Sequence, residues 1–438
     1  MGGGVLVTGL GAVSCVGSGV DALWRGMRAA RSAPVRVPDP LARMDHPHMY
    51  LVPEAEVPAG PEEPAGLPLG RASRLAVEAA REAVADAGLT GLAGVDPRRV
   101  AVAVSSGMGD SDLHERRRAG GPAGPDRWAP VFPVASAVGA WLGAQGANTC
   151  LSNACAASGY ALSLAADLIR SGEADVVVAG GSEAYSRVGL ACFNRLGAID
   201  PERCRPFAAD RRGTVFGEGA AVLVLESAEH ARRRGVKTVY ARLAGTGWSC
   251  DAHHATAPEP GGAQIERAMR EALREAGALP DPGTATGPGT ATGPGSVPGP
   301  GTATGPGSVP DPGTAGAAGA GRLGFVVPHG TGTELNDVVE VRTLSAVLGE
   351  AAPLTPLYSL KALLGHTGGA AGAFAALAAA LVLHHGTLPP NVPVGALDPE
   401  CEALLPTEPT PVTAPYGLVN AYAFGGNNVS LVLQGAAA

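Results

Sequence analysis

Five short stretches of the chain set reactive side chains among small ones. In Leu151-Ser-Asn-Ala-Cys155-Ala-Ala-Ser-Gly a cysteine falls where a strand should give way to a helix. Free backbone N–H groups and the positive end of a helix favour a thiolate at such a junction. Ala154, Ala156 and Ala157 leave room for a group carried on the sulfur, so the expected chemistry is covalent catalysis through a thioester. A buried, inert cysteine is the ordinary alternative. Cys150, Cys192, Cys204 and Cys250 read that way, because none shows this junction.

The second stretch is Pro328-His329-Gly-Thr-Gly-Thr-Glu-Leu-Asn-Asp337-Val-Val-Glu340. It presents a histidine at the end of a strand, where α/β active sites collect. Thr331 and Thr333, each following a glycine, let backbone and hydroxyls approach a ligand. The third, Ser359-Leu-Lys361-Ala-Leu-Leu-Gly-His366, puts another histidine ahead of the most apolar helix of the chain. Lys361 there needs a counter-charge, and Glu340 is the candidate. In the fourth, Asn420-Ala-Tyr-Ala-Phe424-Gly425-Gly426-Asn427-Asn, the glycine pair permits a tight turn close to a ligand. The fifth, Arg205 to Gly219 with Asp210, Arg211 and Glu218, reads as a glycine loop entering a strand at 220 as readily as a chemical site.

The elements that must position these groups alternate. Val5-Leu-Val-Thr-Gly, Val100-Ala-Val-Ala-Val-Ser, Asp175-Val-Val-Val-Ala-Gly-Gly, Ala220-Ala-Val-Leu-Val-Leu-Glu, Tyr240-Ala-Arg-Leu-Ala-Gly, Gly324-Phe-Val-Val, Gly417-Leu-Val-Asn and Val429-Ser-Leu-Val-Leu read as strands, several with no polar face. Helices are expected from an Asp21 cap to Met27, and over 71–88, 135–142, 156–171, 264–277, 338–348 and 370–383. Strands alternating with helices imply an α/β architecture. Residues 33–69 read as surface loop. Residues 280–321 are nearly all Gly, Pro, Thr, Ala and Ser, with Gly-Thr-Ala-Thr-Gly-Pro-Gly starting at 283, 289 and 301. Such an insert buries too little apolar surface to offset its ordering entropy and is expected to be disordered.

Composition bounds the rest. The 438 residues carry a formal charge of -8, which offers no broad basic field for nucleic acid. Only two lysines stand among 32 basic residues, so Lys361 is an unusual choice where arginine is the habit. Seven cysteines without a CxxC suggest neither a disulfide framework nor a zinc site and fit a reducing compartment. No basic leader opens the chain, and the apolar run Ala370 to Leu383 is short for a bilayer, so a cytoplasmic protein without a membrane span is expected. Dinucleotide-binding, Walker, HExxH and GxSxG patterns are absent.

Taken together, Cys155, His329, Lys361, His366 and the Phe424-Gly-Gly turn, in this order and spacing, resemble the β-ketoacyl-acyl carrier protein synthases. The likeness is to the bacterial KAS I/II type and its type II polyketide relatives, and it runs from Val5 to Leu433. It implies the thiolase fold, a five-layered αβαβα pair of related halves. One half would span 1–250 and carry the nucleophile; the other, 251–438, would carry the His/Lys/His set. It implies that Cys155 is acylated, that His329 and His366 form the catalytic pair, and that Lys361 orders the surroundings of His366. Phe424 resembles a gating residue whose N–H joins that of Cys155 in an oxyanion hole. Glu340, Asp337, Thr331, Thr333, Gly425 and Gly426 support them. No cofactor or metal is implied, because substrates arrive on the phosphopantetheine of an acyl carrier protein. Arg71, Arg74, Arg205 and Arg211 are expected to dock that acidic partner. A homodimer, or a heterodimer with a chain-length-factor-like ketosynthase, is implied, with fatty-acid or polyketide synthesis as the pathway. Three positions depart from the family's habit: Asn153 for Thr, Pro328 before His329, and Ala423 for Gly before Phe424.

The expected reaction is ping-pong. An acyl-Cys155 thioester is attacked by the enolate left when a malonyl thioester loses CO2, and two neutral histidines hold the enolate oxygen. The rivals are a non-elongating chain-length-factor partner, a thiolase, and an acyltransferase using the same scaffold. A thiolase would place a second reactive cysteine where Phe424-Gly-Gly stands, and Cys401 lies instead in a charged, Pro-bearing loop.

Overall fold

The computed structural model describes residues 4–57, 68–119, 130–279 and 323–436; the repeat insert at 280–321 lies outside them. The β-rich runs of the sequence form β1 (Val5–Ser14), β2 (Val100–Ser105), β3 (Asn148–Thr149), β4 (Val176–Glu183), β5 (Gly219–Ser227), β6 (Ala241–Cys250), β7 (Leu323–Val327), β8 (Tyr416–Ala423) and β9 (Asn427–Gly435). Their order across the sheet is β7-β8-β9-β6-β1-β5-β4-β2-β3. The pairings repeat. β1 is antiparallel to β5, β5 antiparallel to β4, and β4 parallel to β2. In the same way β6 is antiparallel to β9, β9 antiparallel to β8, and β8 parallel to β7. The two sets join only where Val5–Val7 pairs with 241–243. The expected boundary after residue 250 therefore falls at the far end of β6, a strand that heads the second set.

The helices are α1 (Val20–Ala29), α2 (Arg71–Asp86), α3 (Ser111–Arg118), α4 (Val134–Leu142), α5 (Ala157–Arg170), α6 (Arg187–Arg195), α7 (Ala228–Arg234), α8 (Ala263–Glu275), α9 (Glu334–Leu348), α10 (Lys361–Leu364) and α11 (Ala371–His385). α2 and α4 cover the outside of the first strand set, and α8, backed by α9, covers the second. α5 and α11 lie between the sets and against each other, which completes five layers. α11 is apolar all round, as a helix with no water-facing side must be. With its lead-in, Gly368–His385 is long and apolar enough to cross a membrane, yet 83% of that stretch is buried inside the protein.

Glycine lets the two central helices touch. A Cβ on Gly372 would stand 2.7 Å from the Gly159 nitrogen. Each central helix is preceded by a 3-10 turn, Ala154–Ala156 for α5 and Gly368–Ala370 for α11, and the two turns meet.

Some elements differ from expectation. α1 is capped by Gly19, with Asp21 inside its first turn and making no cap bond. α9 begins a turn earlier than its apolar residues suggest. α3 and α6 have no counterpart in the sequence reading: α3 buries no residue and carries no apolar stripe, and α6, though amphipathic, is nine residues long and buries only Leu190.

Candidate active site

Cys155 sits in the 3-10 turn that opens α5. Ala154 before it is held at φ 47°, a left-handed conformation that a residue with a Cβ adopts at a cost. That bend turns the chain from Asn153 into the helix. Burial pushes the Cys155 thiol up to about 12, while the Lys361 ammonium pulls it down and the Glu183 carboxylate pushes it further up. Burial thus outweighs the helix start and favours the thiol form of Cys155.

His329 follows β7 and is 4% exposed. Two carboxylates behind the loop hold its backbone. Glu340 accepts from the N–H of His329 and of Gly330, both at 2.8 Å. Asp337 accepts from Thr331 N at 3.1 Å and from Phe207 N at 2.7 Å. Both carboxylates issue from the inner face of α9, three residues apart, which puts them one above the other. Thr331 and Thr333 join hydroxyls at 2.8 Å. Asn420 on β8 adds a bond to Glu340 at 3.2 Å. Burial raises Glu340 to about 7, against the pull of those N–H donors.

Lys361 is buried. Its Nζ lies 3.4 Å from His329 Nδ1 and donates to the His329 carbonyl oxygen. This corrects two expectations. The ammonium orders His329 rather than His366. No ion pair joins it to Glu340 among the described residues; Glu340 spends its oxygens on backbone N–H groups and acts on Lys361 only as a nearby charge. With Lys361 donating to Nδ1, the proton of neutral His329 belongs on Nε2, so that nitrogen is a donor.

His366 is 2% exposed and sits in a loop pinned from two sides. Its N–H donates to Val215 O at 2.8 Å, its carbonyl accepts from Gly217 N at 3.0 Å, and its ring stacks on Phe216. Three residues on, Gly369 N donates to Glu183 at 2.6 Å. The rings of His329 and His366 stand edge to face with centroids 5.6 Å apart. Burial first, then the Lys361 charge, holds both far below the ordinary histidine value, so both rings are neutral.

Two cavities meet at the nucleophile. One, about 140 Å³, is apolar and lined by Met49, Met108, Leu190 and Phe216. The other, about 80 Å³, is more polar and lined by His329, His366, Thr331, Thr333, Tyr422 and Asn428. Cys155, Phe193 and Phe424 border both. Phe193 and Phe424 stack with centroids 5.2 Å apart and planes 7° from parallel, forming a partition. The turn carrying Phe424 needs its glycines, with Gly425 at φ 81° and Gly426 at φ 73°. It is tied to the 250–255 loop by Gly425 N to Ala255 O at 2.8 Å and Asp251 N to Gly426 O at 2.9 Å.

Glu183 and Phe193 were not anticipated from sequence. Glu183 ends β4, a position where sites gather, and it accepts from the N–H of Gly107, Met108 and Gly369 and from the Ser106 hydroxyl. It links the wall of the apolar cavity to the His366 loop. Phe193 lies on the unexpected helix α6.

Three of the four docking arginines, Arg71, Arg205 and Arg211, are placed differently from expectation. Arg205, its side chain 9% exposed, pairs with Asp200 at 3.0 Å and Asp210 at 2.7 Å. Arg211, at 4%, pairs with Asp398 and lies 3.7 Å from Asp337. Arg71 binds Glu218 and Glu54, each at 2.7 Å. These guanidiniums are committed to carboxylates of their own chain. Arg74 is half-buried, with its Nε lacking a partner.

Comparison with known proteins agrees with this geometry. A family model described as beta-ketoacyl synthase, N-terminal domain, matches residues 3–231, and one for the C-terminal domain matches residues 314–395. The chain is 31% identical to nodulation protein E of Rhizobium meliloti (strain 1021) over 98% of both chains. It is 29% identical to 3-oxoacyl-[acyl-carrier-protein] synthase 2 of Staphylococcus aureus (strain N315), again over 98% of each. Among solved structures it is similar to the ishigamide ketosynthase/chain length factor, with a TM-score of 0.81, 32% identity and full coverage of both chains. A beta-ketoacyl synthase from Burkholderia phymatum STM815 gives 0.80 and 28%, covering 99% of this chain and 100% of that one. The thiolase fold is thus common to all of them, and the chain belongs to the β-ketoacyl synthase family.

Proposed function

We propose that the chain is a decarboxylating β-ketoacyl-acyl carrier protein synthase in which Cys155 carries the growing acyl group. The observation that carries this reading is the meeting of two cavities at one sulfur. The apolar cavity suits an acyl chain, and the more polar one suits a malonyl thioester beside two neutral imidazoles.

In the first half-reaction the Cys155 sulfur attacks the thioester carbonyl of an acyl carrier, its proton leaves with the displaced phosphopantetheine thiolate, and the N–H groups of Cys155 and Phe424 hold the oxyanion. In the second, the bond between the malonyl carboxylate and its α-carbon breaks, CO2 leaves, and the electron pair moves onto the thioester oxygen. The N–H donors of His329 and His366 stabilise that enolate; losing one such donor typically costs roughly 10²–10³ in rate. The enolate carbon then bonds to the acyl carbon, and the Cys155 thiolate departs and regains a proton. Lys361, Glu340 and Asp337 position His329, Thr331 and Thr333 edge the malonyl side, and Gly425 and Gly426 shape the Phe424 turn. The protein's own donors carry every step.

The partner is an acyl carrier protein. A related solved structure is titled as a ketosynthase in complex with its chain length factor, which supports a second ketosynthase-like chain, identical or not, as the other partner. Free cysteines throughout the described residues support a reducing, cytoplasmic setting.

Intact-protein mass spectrometry with acyl and malonyl carrier proteins tests the reading. The native chain should gain one acyl mass, and Cys155→Ala should gain none. Cys155→Gln should still release CO2 from malonyl carrier while forming no condensed product. Undiminished acylation of Cys155→Ala would sink the assignment. A native chain that never acylates would point instead to a non-elongating, chain-length-factor-like role.

A further inference from the structure

Tyr422 is two residues before Phe424 on β8 and is 4% exposed. Its ring packs beside His329 with centroids 5.4 Å apart. Its side chain lines the more polar cavity together with Cys155 and both histidines. Its hydroxyl is fully buried and finds no hydrogen-bond partner among the described residues. Buried polar atoms in folded proteins are nearly always paired, because an unpaired one loses its water and gains nothing back. Where such an orphan borders a cavity, a ligand entering that cavity can complete it. The same cavity holds a second orphan, His366 Nδ1. The neighbouring polar groups are occupied: Thr331 with Thr333, and Asn428 with Asp251 at 2.6 Å.

We infer that Tyr422 is a further catalytic residue, its hydroxyl donating a hydrogen bond to the thioester oxygen of the malonyl-type substrate beside the N–H groups of His329 and His366. This rests on the reading of the chain as a decarboxylating condensing enzyme. The tyrosine transfers no proton. The malonyl C–C bond breaks, CO2 departs, and the electron pair reaches an oxygen now held by three donors. When that pair returns to form the new C–C bond, the hydroxyl is unchanged. Burial, reinforced by the charges of Glu340 and Asp251, pushes its ionisation well above the ordinary tyrosine value, so it serves as a donor and not as a base. A site that raises k in this way holds a group whose partner comes only with substrate, at the expense of the empty protein's stability.

Three measurements on Tyr422→Phe test this. Acylation of Cys155, read by intact mass, is expected to be unchanged. CO2 release from malonyl carrier, compared between Cys155→Gln and Cys155→Gln/Tyr422→Phe, is expected to fall roughly 10²-fold in kcat, the usual cost of one oxyanion donor. The substrate-free variant is expected to unfold at the same or a higher denaturant midpoint, whereas a tyrosine with a structural hydrogen bond would lose stability. Unchanged CO2 release overturns the inference, and so does a clear loss of stability with the rate defect. Failure of the native chain to acylate Cys155 would instead overturn the underlying reading, so the two failures are distinguishable.

Discussion

At Cys155 burial outweighs both the helix start and the Lys361 charge and pushes the thiol up to about 12. Alkylation by iodoacetamide reports the thiolate fraction, and with a thiol pushed up to about 12 it should climb about tenfold per pH unit between pH 7 and 9. Peptide mapping must score Cys155 apart from the exposed Cys192 and Cys250. A plateau within that range would mean a thiolate already formed. The histidines move the other way. Both are held below their ordinary value of 6.5, so the neutral, donating form persists as acid is added. CO2 release by Cys155→Gln should therefore hold its rate from pH 8 down to 6.5; a fall centred at or above 6.5 would contradict neutral imidazoles held by burial. That Cys155, His329 and His366 would meet at one cavity was legible in the sequence, because small neighbours and strand ends mark them. The partner of Lys361 was not. Its contacts are a ring nitrogen and a main-chain carbonyl of a loop 32 residues away, which no spacing reveals. Tyr422 stood inside a quoted motif, but the isolation of its hydroxyl depends on which groups fail to reach it.

At the scale of elements, α5 and α11 approach closely. Gly372→Val would drive a branched side chain toward the Gly159 backbone and Ser158, in a layer with sheet on both sides. Overpacking of this kind costs about 1–3 kcal/mol, seen as a lower denaturant midpoint. An unchanged midpoint would mean the layers can part there. α11 was readable from sequence because it is apolar on every side, and so were the strands buried on both faces. α3 was not, since a helix without an apolar stripe shows no periodicity, and α6 was not, since its amphipathic stretch is only nine residues long. α6 nonetheless supplies Phe193 to the partition, so a structurally silent stretch of sequence reaches the site.

For the molecule as a whole, Arg71, Arg205 and Arg211 are internal braces. Arg211 ties the 205–211 segment to Asp337, the same carboxylate that holds the His329 loop, and to Asp398. Removing one member of a buried charge pair costs about 3–5 kcal/mol, so Arg211→Ala should lower the unfolding midpoint markedly. A stable variant with only a raised KM for carrier-borne substrate would restore the docking role. The sequence shows how many arginines there are but not which face inward. The internal repeat has one more consequence. The apolar cavity is built mainly from loops after β2 and β4, whereas the more polar one is built mainly from loops after β6, β7 and β8. A doubled ancestor would thus have divided its labour, one copy carrying the cargo on Cys155 and gripping it, the other holding the histidines for the malonyl step. Drift in the first copy can retune what is carried while the second stays fixed, which leaves such a chain free to diversify its products without relearning its chemistry.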